Sequence, residues 1–244
     1  MKHTLLLRLA GPMQSWGVQS RFTERDTLTE PTKSGVVGLV CAALGRDRTE
    51  DISDLAALKM GVRVDREGRV QSDFHTAQNV LRAKANVDKL RQGGSPNKSE
   101  IQDTVISRRF YLADAHFTVG LVGDDLSLLR TIQKALRAPH WPLALGRKAF
   151  PPGLPPYLED GLHKDTPLLD ALDHAAHPWL AGRTRKNEKP PETLRYILES
   201  DAVDLNDRSP VRYTRPDQPV SFAPRRFAQR DVLVTHFPLE PPTE

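Results

Sequence analysis

The strongest constraint in this 244-residue chain is its opening, where an apolar segment, a Gly-Pro stop and a long polar stretch precede a second apolar segment of different period. Leu5, Leu7 and Leu9 alternate with Leu6, Arg8 and Ala10, the rhythm of a strand covered on at least one face. Gly11-Pro12 ends it. Thr32, after Pro31, opens a helix in which Val36, Val40 and Leu44 recur every four residues beside Val37 and Cys41, until Gly45 closes the run. That helix is apolar almost all round, so it packs between layers, and Gly35 and Gly38 permit close approach of another backbone. The connection of about twenty residues is long for a βα unit and therefore suits function better than linkage. It carries Gln14, Ser15, Trp16, Gln19, Arg21, Arg25 and Lys33. The unpaired N–H groups of Thr32, Lys33, Ser34 and Gly35 suit a phosphate at the helix start. An ordinary capped helix with a solvated lysine accounts for the same residues.

Charge is distributed unevenly. The formal net charge is +4 and the sequence pI about 9.3, yet residues 77–111 carry +4 and residues 208–230 carry +5, against −4 over residues 151–182. Such segregation fits a protein that lies along a polyanion with one face and meets protein with another; a mixed, solvated surface is the plainer reading. One cysteine, inside an apolar helix, excludes an internal disulfide framework and fits a reducing cytoplasm. Arg8 interrupts the first apolar run and no stretch approaches the ~20 apolar residues of a membrane helix, so neither a signal sequence nor a membrane partner is expected.

Further along, Ile52, Leu55 and Leu58 predict a short helix over 51–60, and Val62, Val64 and Val70 predict two strands around a tight turn at Arg66-Glu67-Gly68. The segment from about 75 to 110 is polar and basic with a Gly93-Gly94-Ser95-Pro96-Asn97 tip, which reads as a protruding arm. Tyr111, Ala113, Ala115, Phe117, Val119 and Leu121 then alternate as a single strand. Asp125 caps a helix bearing Leu128, Leu129, Ile132 and Leu136. With one more strand near Ala144 or Tyr157 the order is βαββαβ, the ferredoxin-like arrangement of RNA-recognition motifs. The expected fold is therefore α+β: a ferredoxin-like (RRM-like) domain over 1–150 with an inserted basic β-hairpin arm at about 75–110, and a smaller, mostly β part over 151–244. In the latter, 193–198, 211–213, 220–222 and 232–237 read as short strands.

The pieces GPMQSWG (11–17), EPTKSGVVGLVCAALGR (30–46), DFHT (73–76), RRFYLADAHFTVGL (108–121), LGRKAFPP (145–152) and RRFAQRDVLV (225–234) resemble, in order and from one end of the chain to the other, the CasD family, the RAMP-superfamily subunit of type I-E CRISPR Cascade. The resemblance implies that the arm is the thumb-like hairpin these proteins fold around guide RNA and the neighbouring backbone subunit. It also implies a non-catalytic role, capping the 5′ handle of the CRISPR RNA (crRNA) and starting the Cascade backbone, with the large Cascade subunit as a further partner and target DNA met through the assembled complex. Phosphates would fall to Arg21, Lys33, Arg108, Arg109, Arg147, Lys148 and Arg226, helped by the helix start at Thr32, Lys33 and Ser34. Splayed bases would fall to Gln14, Ser15, Trp16, His75 and Tyr111. Gly146 beside two cations is either a close-approach loop for phosphate or a plain exposed turn. Trp16 is either a stacking ring or a core ring. Arg225 and Arg226 beside Phe227 either hold a phosphate while stacking on a base or form a surface turn.

The chemistry of an enzyme is sparse. The chain has no Walker loop and no His-Glu-x-x-His, and Asp170, Asp173, His174 and His177 make no closed ligand pattern, so neither a metal nor another cofactor is expected. Metal-free RNA cleavage would draw on His75, Lys84, Tyr111, His116 and Lys148. A metal-independent endoribonuclease acting on CRISPR repeat transcripts is thus the alternative function, since relatives in type I-C systems process such transcripts; His116 reads as a half-buried strand residue.

Overall fold

The computed structural model describes residues 1–18, 23–82, 88, 92–178, 189–205 and 209–239. Its elements run β1 (His3–Ala10), β2 (Met13–Gln14), β3 (Glu24–Arg25), α1 (Lys33–Leu44), α2 (Ser53–Ala57), β4 (Lys59–Arg66), β5 (Arg69–Leu81), β6 (Ile101–Ala113), β7 (His116–Gly123), α3 (Leu126–Arg137), β8 (Tyr157–His163), α4 (Leu168–His174), β9 (Thr193–Glu199), β10 (Val211–Phe222) and β11 (Arg225–Pro238). This is a mixed α+β fold with few helices. Seven strands form one antiparallel sheet in the order β10-β11-β9-β4-β7-β1-β8.

Both faces of the central strands are covered, which is why β1 is apolar at nearly every position. Leu5, Leu7 and Leu9 point to the side of α1 and α3, where they meet Val36, Val40, Leu129 and Ile132. Leu6 points the other way, to Leu168 and Leu172 of α4. The opening helix forms as its caps require: Thr32 Oγ1 accepts from Gly35 N at 3.2 Å and Gly45 takes the left-handed conformation, φ 78°. It packs against the central strands of the large sheet, against α3 and against the β10 edge of that sheet, so its all-round apolarity is satisfied on more than one side.

A second sheet projects from this body. β5 and β6 pair antiparallel from Arg69 opposite Ala113 to Leu81 opposite Ile101, while β2 and β3 pair with β6 at Leu112–Ala113 and Arg108–Arg109. The arm is thus longer at its root than the basic segment suggests, because the hairpin begins directly after the Glu67-Gly68 turn.

Three expectations need correction. The strand expected over 111–121 is two strands in different sheets, broken where Asp114 turns to φ 60° and its N–H donates to Pro12 O at 3.1 Å; alternation continues across the break and hides it. The helix expected over 51–60 is held to Ser53–Ala57 because Lys59 and Met60 pair with Val122 and Leu121 of β7. The segments at 211–213 and 220–222 are parts of one strand, β10, whose register shifts absorb Pro216 and Pro219.

Candidate nucleic-acid interface

The alternation of the arm separates two chemistries. Phe74 faces the side of Arg108 and Ile106, where Phe74 is 64% exposed. Tyr111, Arg109 and Ser107 lie on the opposite face, across from Gln71, Asp73 and His75. Arg109 Nε donates to Ser107 Oγ at 3.1 Å, and His75 Nε2 lies 2.8 Å from Asp73 Oδ2.

Two further segments close on this second face. β3 pairs alongside Arg108 and Arg109, with Arg108 N donating to Thr23 O at 2.7 Å. The loop after α3 folds back, Ser15 N donating to Leu145 O at 3.0 Å and Phe150 N to Arg147 O at 2.9 Å. Gly146 sits at φ 90° where a Cβ would stand 1.8 Å from Ser15 O, so only glycine lets the two backbones meet. The loop thereby lays Arg147 against Arg25, whose carbonyl accepts from Arg147 Nη2 at 3.0 Å. The Arg147 guanidinium lies 5.7 Å from the Phe150 ring centroid, and Phe150 lies 5.8 Å from Tyr111. Burial, then the positive charges of Arg109 and Arg25, draw Arg147 below its ordinary value, with Asp73 and Asp26 offsetting in part; a guanidinium stays charged regardless. Phe150 is buried and backs the half-buried Tyr111; three cations crowded beside Tyr111 can hold phosphate oxygens, and the Tyr111 ring can stack a base.

These features lie on a chain that the family model described as "CRISPR-associated protein (Cas_Cas5)" matches over residues 4–233. The chain belongs to the Cas5 family. It is 30% identical over 243 residues to "CRISPR system Cascade subunit CasD" of Escherichia coli (strain K12), covering 96% of each chain. Among solved structures it is similar to "Crystal structure of Cas protein", with 42% identity, a TM-score of 0.69 and coverage of 96% and 95%. A chain of a "CRISPR RNA-guided surveillance complex" matches at 33% identity and TM-score 0.63, covering 97% and 91%.

In this Cas5 chain the expected site residues divide. Tyr111, Arg109, Gly146 and Arg147 come together as described, with Arg108, Lys148 and His75 exposed nearby on the arm and loop. Ser15 meets them through its backbone alone, its side chain being buried with Oγ donating to Phe110 O at 3.4 Å, so base contact by Ser15 is corrected to a structural role. The opening helix does not join them. Lys33 is 1% exposed, its Nζ 2.9 Å from Glu199 Oε1, and burial lowers its pKa against the pull of Glu199. Its backbone N–H donates to Asp217 Oδ2 at 2.8 Å; Arg230 in turn grips Asp217 at 2.7 and 3.0 Å. The helix start at Thr32, Lys33 and Ser34 is therefore served by the protein's own carboxylate, and phosphate binding there is corrected to an internal cap.

Gln14 and Trp16 are likewise structural. Gln14 Nε2 donates to Leu9 O at 3.2 Å and Ala115 O at 2.8 Å, its Oε1 accepts from Trp16 Nε1 at 3.2 Å, and the Trp16 ring packs against Gly35. The amide serves strand-end carbonyls, so base contact by these two side chains is corrected to a supporting floor. Arg225 and Arg226 lie at the turn of the β10–β11 hairpin, Arg225 5.5 Å over the Phe227 ring. Arg21 and Lys84 lie outside the described residues. Asp173 accepts from Tyr196 Oη at 2.7 Å and His177 faces Asp65. Among the described residues no group of three His, Cys, Asp or Glu could hold a metal ion, and no helix is long and apolar enough to cross a membrane. Sequence reasoning assigned neither Arg25 nor Phe150 to the site: Arg25 is visible only as one base in a polar loop until pairing with β6 brings it to Arg147, and Phe150 only as one ring after two bases.

Proposed function

We propose that this chain is a non-catalytic crRNA-binding subunit of a type I-E CRISPR Cascade surveillance complex, which caps the 5′ handle of the guide RNA and starts the backbone for RNA-guided recognition of foreign DNA in antiviral defence. The observation that carries the reading is the cluster of Arg25, Arg109 and Arg147 beside Tyr111 and Phe150 at the arm's root, on a chain 30% identical to a Cascade subunit. The backbone of the RNA is held by charge, and an unpaired base meets the Tyr111 ring. The neighbouring backbone subunit and the large subunit are its protein partners, target DNA is met through the complex, and the cytoplasm is its compartment.

The four-strand set β8-β1-β7-β4, with α1 and α3 on one face, supports naming the body ferredoxin-like and the arm a thumb. Residues 1–150 supply three of those strands and the arm; residues 151–244 supply the fourth and the smaller β-rich part.

The test is one gel. Labelled CRISPR repeat RNA incubated with the purified chain in EDTA stays intact and shifts in mobility, and charge reversal at Arg109 and Arg147 removes the shift. Cleavage in EDTA that disappears in His75→Ala would instead establish the ribonuclease.

A further inference from the structure

A cleft of about 210 Å³ opens at the arm's root, apart from the arginine cluster. His116 marks its position: it stands opposite Ala10 of β1 and Arg66 of β4, where three central strands end together. Asp114, at the break between β6 and β7, is part of its lining. Gly11 and Gly153 form one wall, so close that a Cβ on Gly153 would meet Gly11 Cα at 3.2 Å, and Leu154 adds an apolar surface.

We infer that this cleft receives a single unstacked nucleobase from RNA lying along the arm, an inference that rests on the RNA-binding reading above. Its volume is below the ~300–1,000 Å³ of sites for drug-sized ligands and cofactors, which fits one ring system. The methyl and methylene surface of Leu154 suits a ring face. The planar groups of Arg66 and His116 suit stacking or donation to ring nitrogens and carbonyl oxygens. The carboxylate of Asp114 accepts from the N–H edge of a base and repels phosphate, so the RNA's phosphates stay outside on the arginine cluster while the base turns in. The distance is short: Asp114 follows Tyr111 by three positions, at most about 11 Å of extended chain. Arg147 and Gly153 belong to the same loop.

The experiment scans repeat RNA with single abasic positions against the full-length chain, measuring affinity by titration. In the unaltered protein one abasic position is expected to cost about tenfold. That penalty disappears in Leu154→Trp, whose indole fills the cleft, and shrinks in Asp114→Asn, while the penalties at all other positions stay as they were. Asparagine tolerates the left-handed backbone at this position, so this variant decides the matter if Leu154→Trp fails to fold. Penalties identical in the unaltered protein and in Asp114→Asn, with RNA still bound, would overturn the cleft and leave the arginine cluster standing. An unaltered protein that binds no RNA would overturn the RNA-binding reading and the cleft together.

Discussion

Two cationic regions of this molecule look alike in sequence and differ completely in structure. At the start of α1, Lys33 and Arg230 are matched by Glu199 and Asp217 within 2.7 to 3.4 Å, and the side chains of all four are buried. At the arm's root, Arg25, Arg109 and Arg147 crowd one another, and the acids that offset Arg147, Asp73 and Asp26, act less strongly than its two arginine neighbours. The first region has spent its charge inside the protein, tying the N-terminal helix to the C-terminal hairpin. The second leaves cations in excess of nearby acid, as the proposed RNA contact requires. Which of the two a cation joins depends on tertiary contacts, at the first region between residues nearly two hundred positions apart.

That contrast breaks most sharply at Lys33. Lys33→Met removes the ammonium nearest Glu199, which keeps Arg230 at 3.4 Å and Lys59 at 3.8 Å, and is expected to cost about 1–3 kcal/mol of stability, read by urea unfolding, while RNA affinity of the folded fraction stays unchanged. A loss of RNA affinity without loss of stability would erase the distinction. Reversing Arg109 and Arg147 to Glu should do the opposite: affinity for single-stranded repeat RNA falls about 100-fold or more with little change in unfolding midpoint. The slope of log affinity against log salt should flatten by about 0.7 for each phosphate that the protein no longer neutralises. Gly146→Ala forces the loop away from Ser15 and carries Arg147 with it; strain of about 1–3 kcal/mol and a drop in RNA affinity smaller than that of the double reversal are expected in the same two assays.

The smallest effect is on acid stability. Burial lowers the pKa of His116, with Arg8, Arg66 and Arg63 reinforcing and Asp65 opposing. The unfolded chain therefore takes up this proton first as pH falls, near 6.5, so stability is full above that value and declines as pH drops through it toward the folded-state value. Thermal midpoints compared at pH 7.5 and 5.5 should fall less in His116→Gln than in the unaltered protein. RNA affinity, proposed to rest on guanidinium groups rather than on His116, should not follow the same curve.

Much of the body was legible because it follows local rules. Thr32 and Gly45 cap α1, Asp125 caps α3, and the alternation at Leu5 to Leu9 gives β1. The arm was legible as a basic insertion, although its root at Arg69 was not. Other features left no local mark. Arg63 and Asp65 alternate with Val62 and Val64 as a solvent face would, yet they are fully buried: Arg63 donates to Leu172 O and, at 2.9 Å, to Ala175 O, serving the end of α4. Nothing near Lys33 announces Asp217 or Glu199. The same absence of local signal hid Arg25, whose role depends on a two-residue strand pairing with β6. Trp16 misled for a related reason: standing in a polar loop between Ser15 and Gly17, it is buried in the core, whereas Tyr111 meets the cluster through Phe150.

The arm is rooted in β4 and β7, and both are interior strands: β4 is flanked by β9 and β7, and β7 by β4 and β1. A pull on the hairpin tip is therefore shared among backbone hydrogen bonds on both sides of each root, loading them in shear rather than peeling one strand from an edge. Mechanically, the projection behaves as a cantilever set in the middle of a plate, able to transmit torque from a partner to the whole sheet without tearing loose.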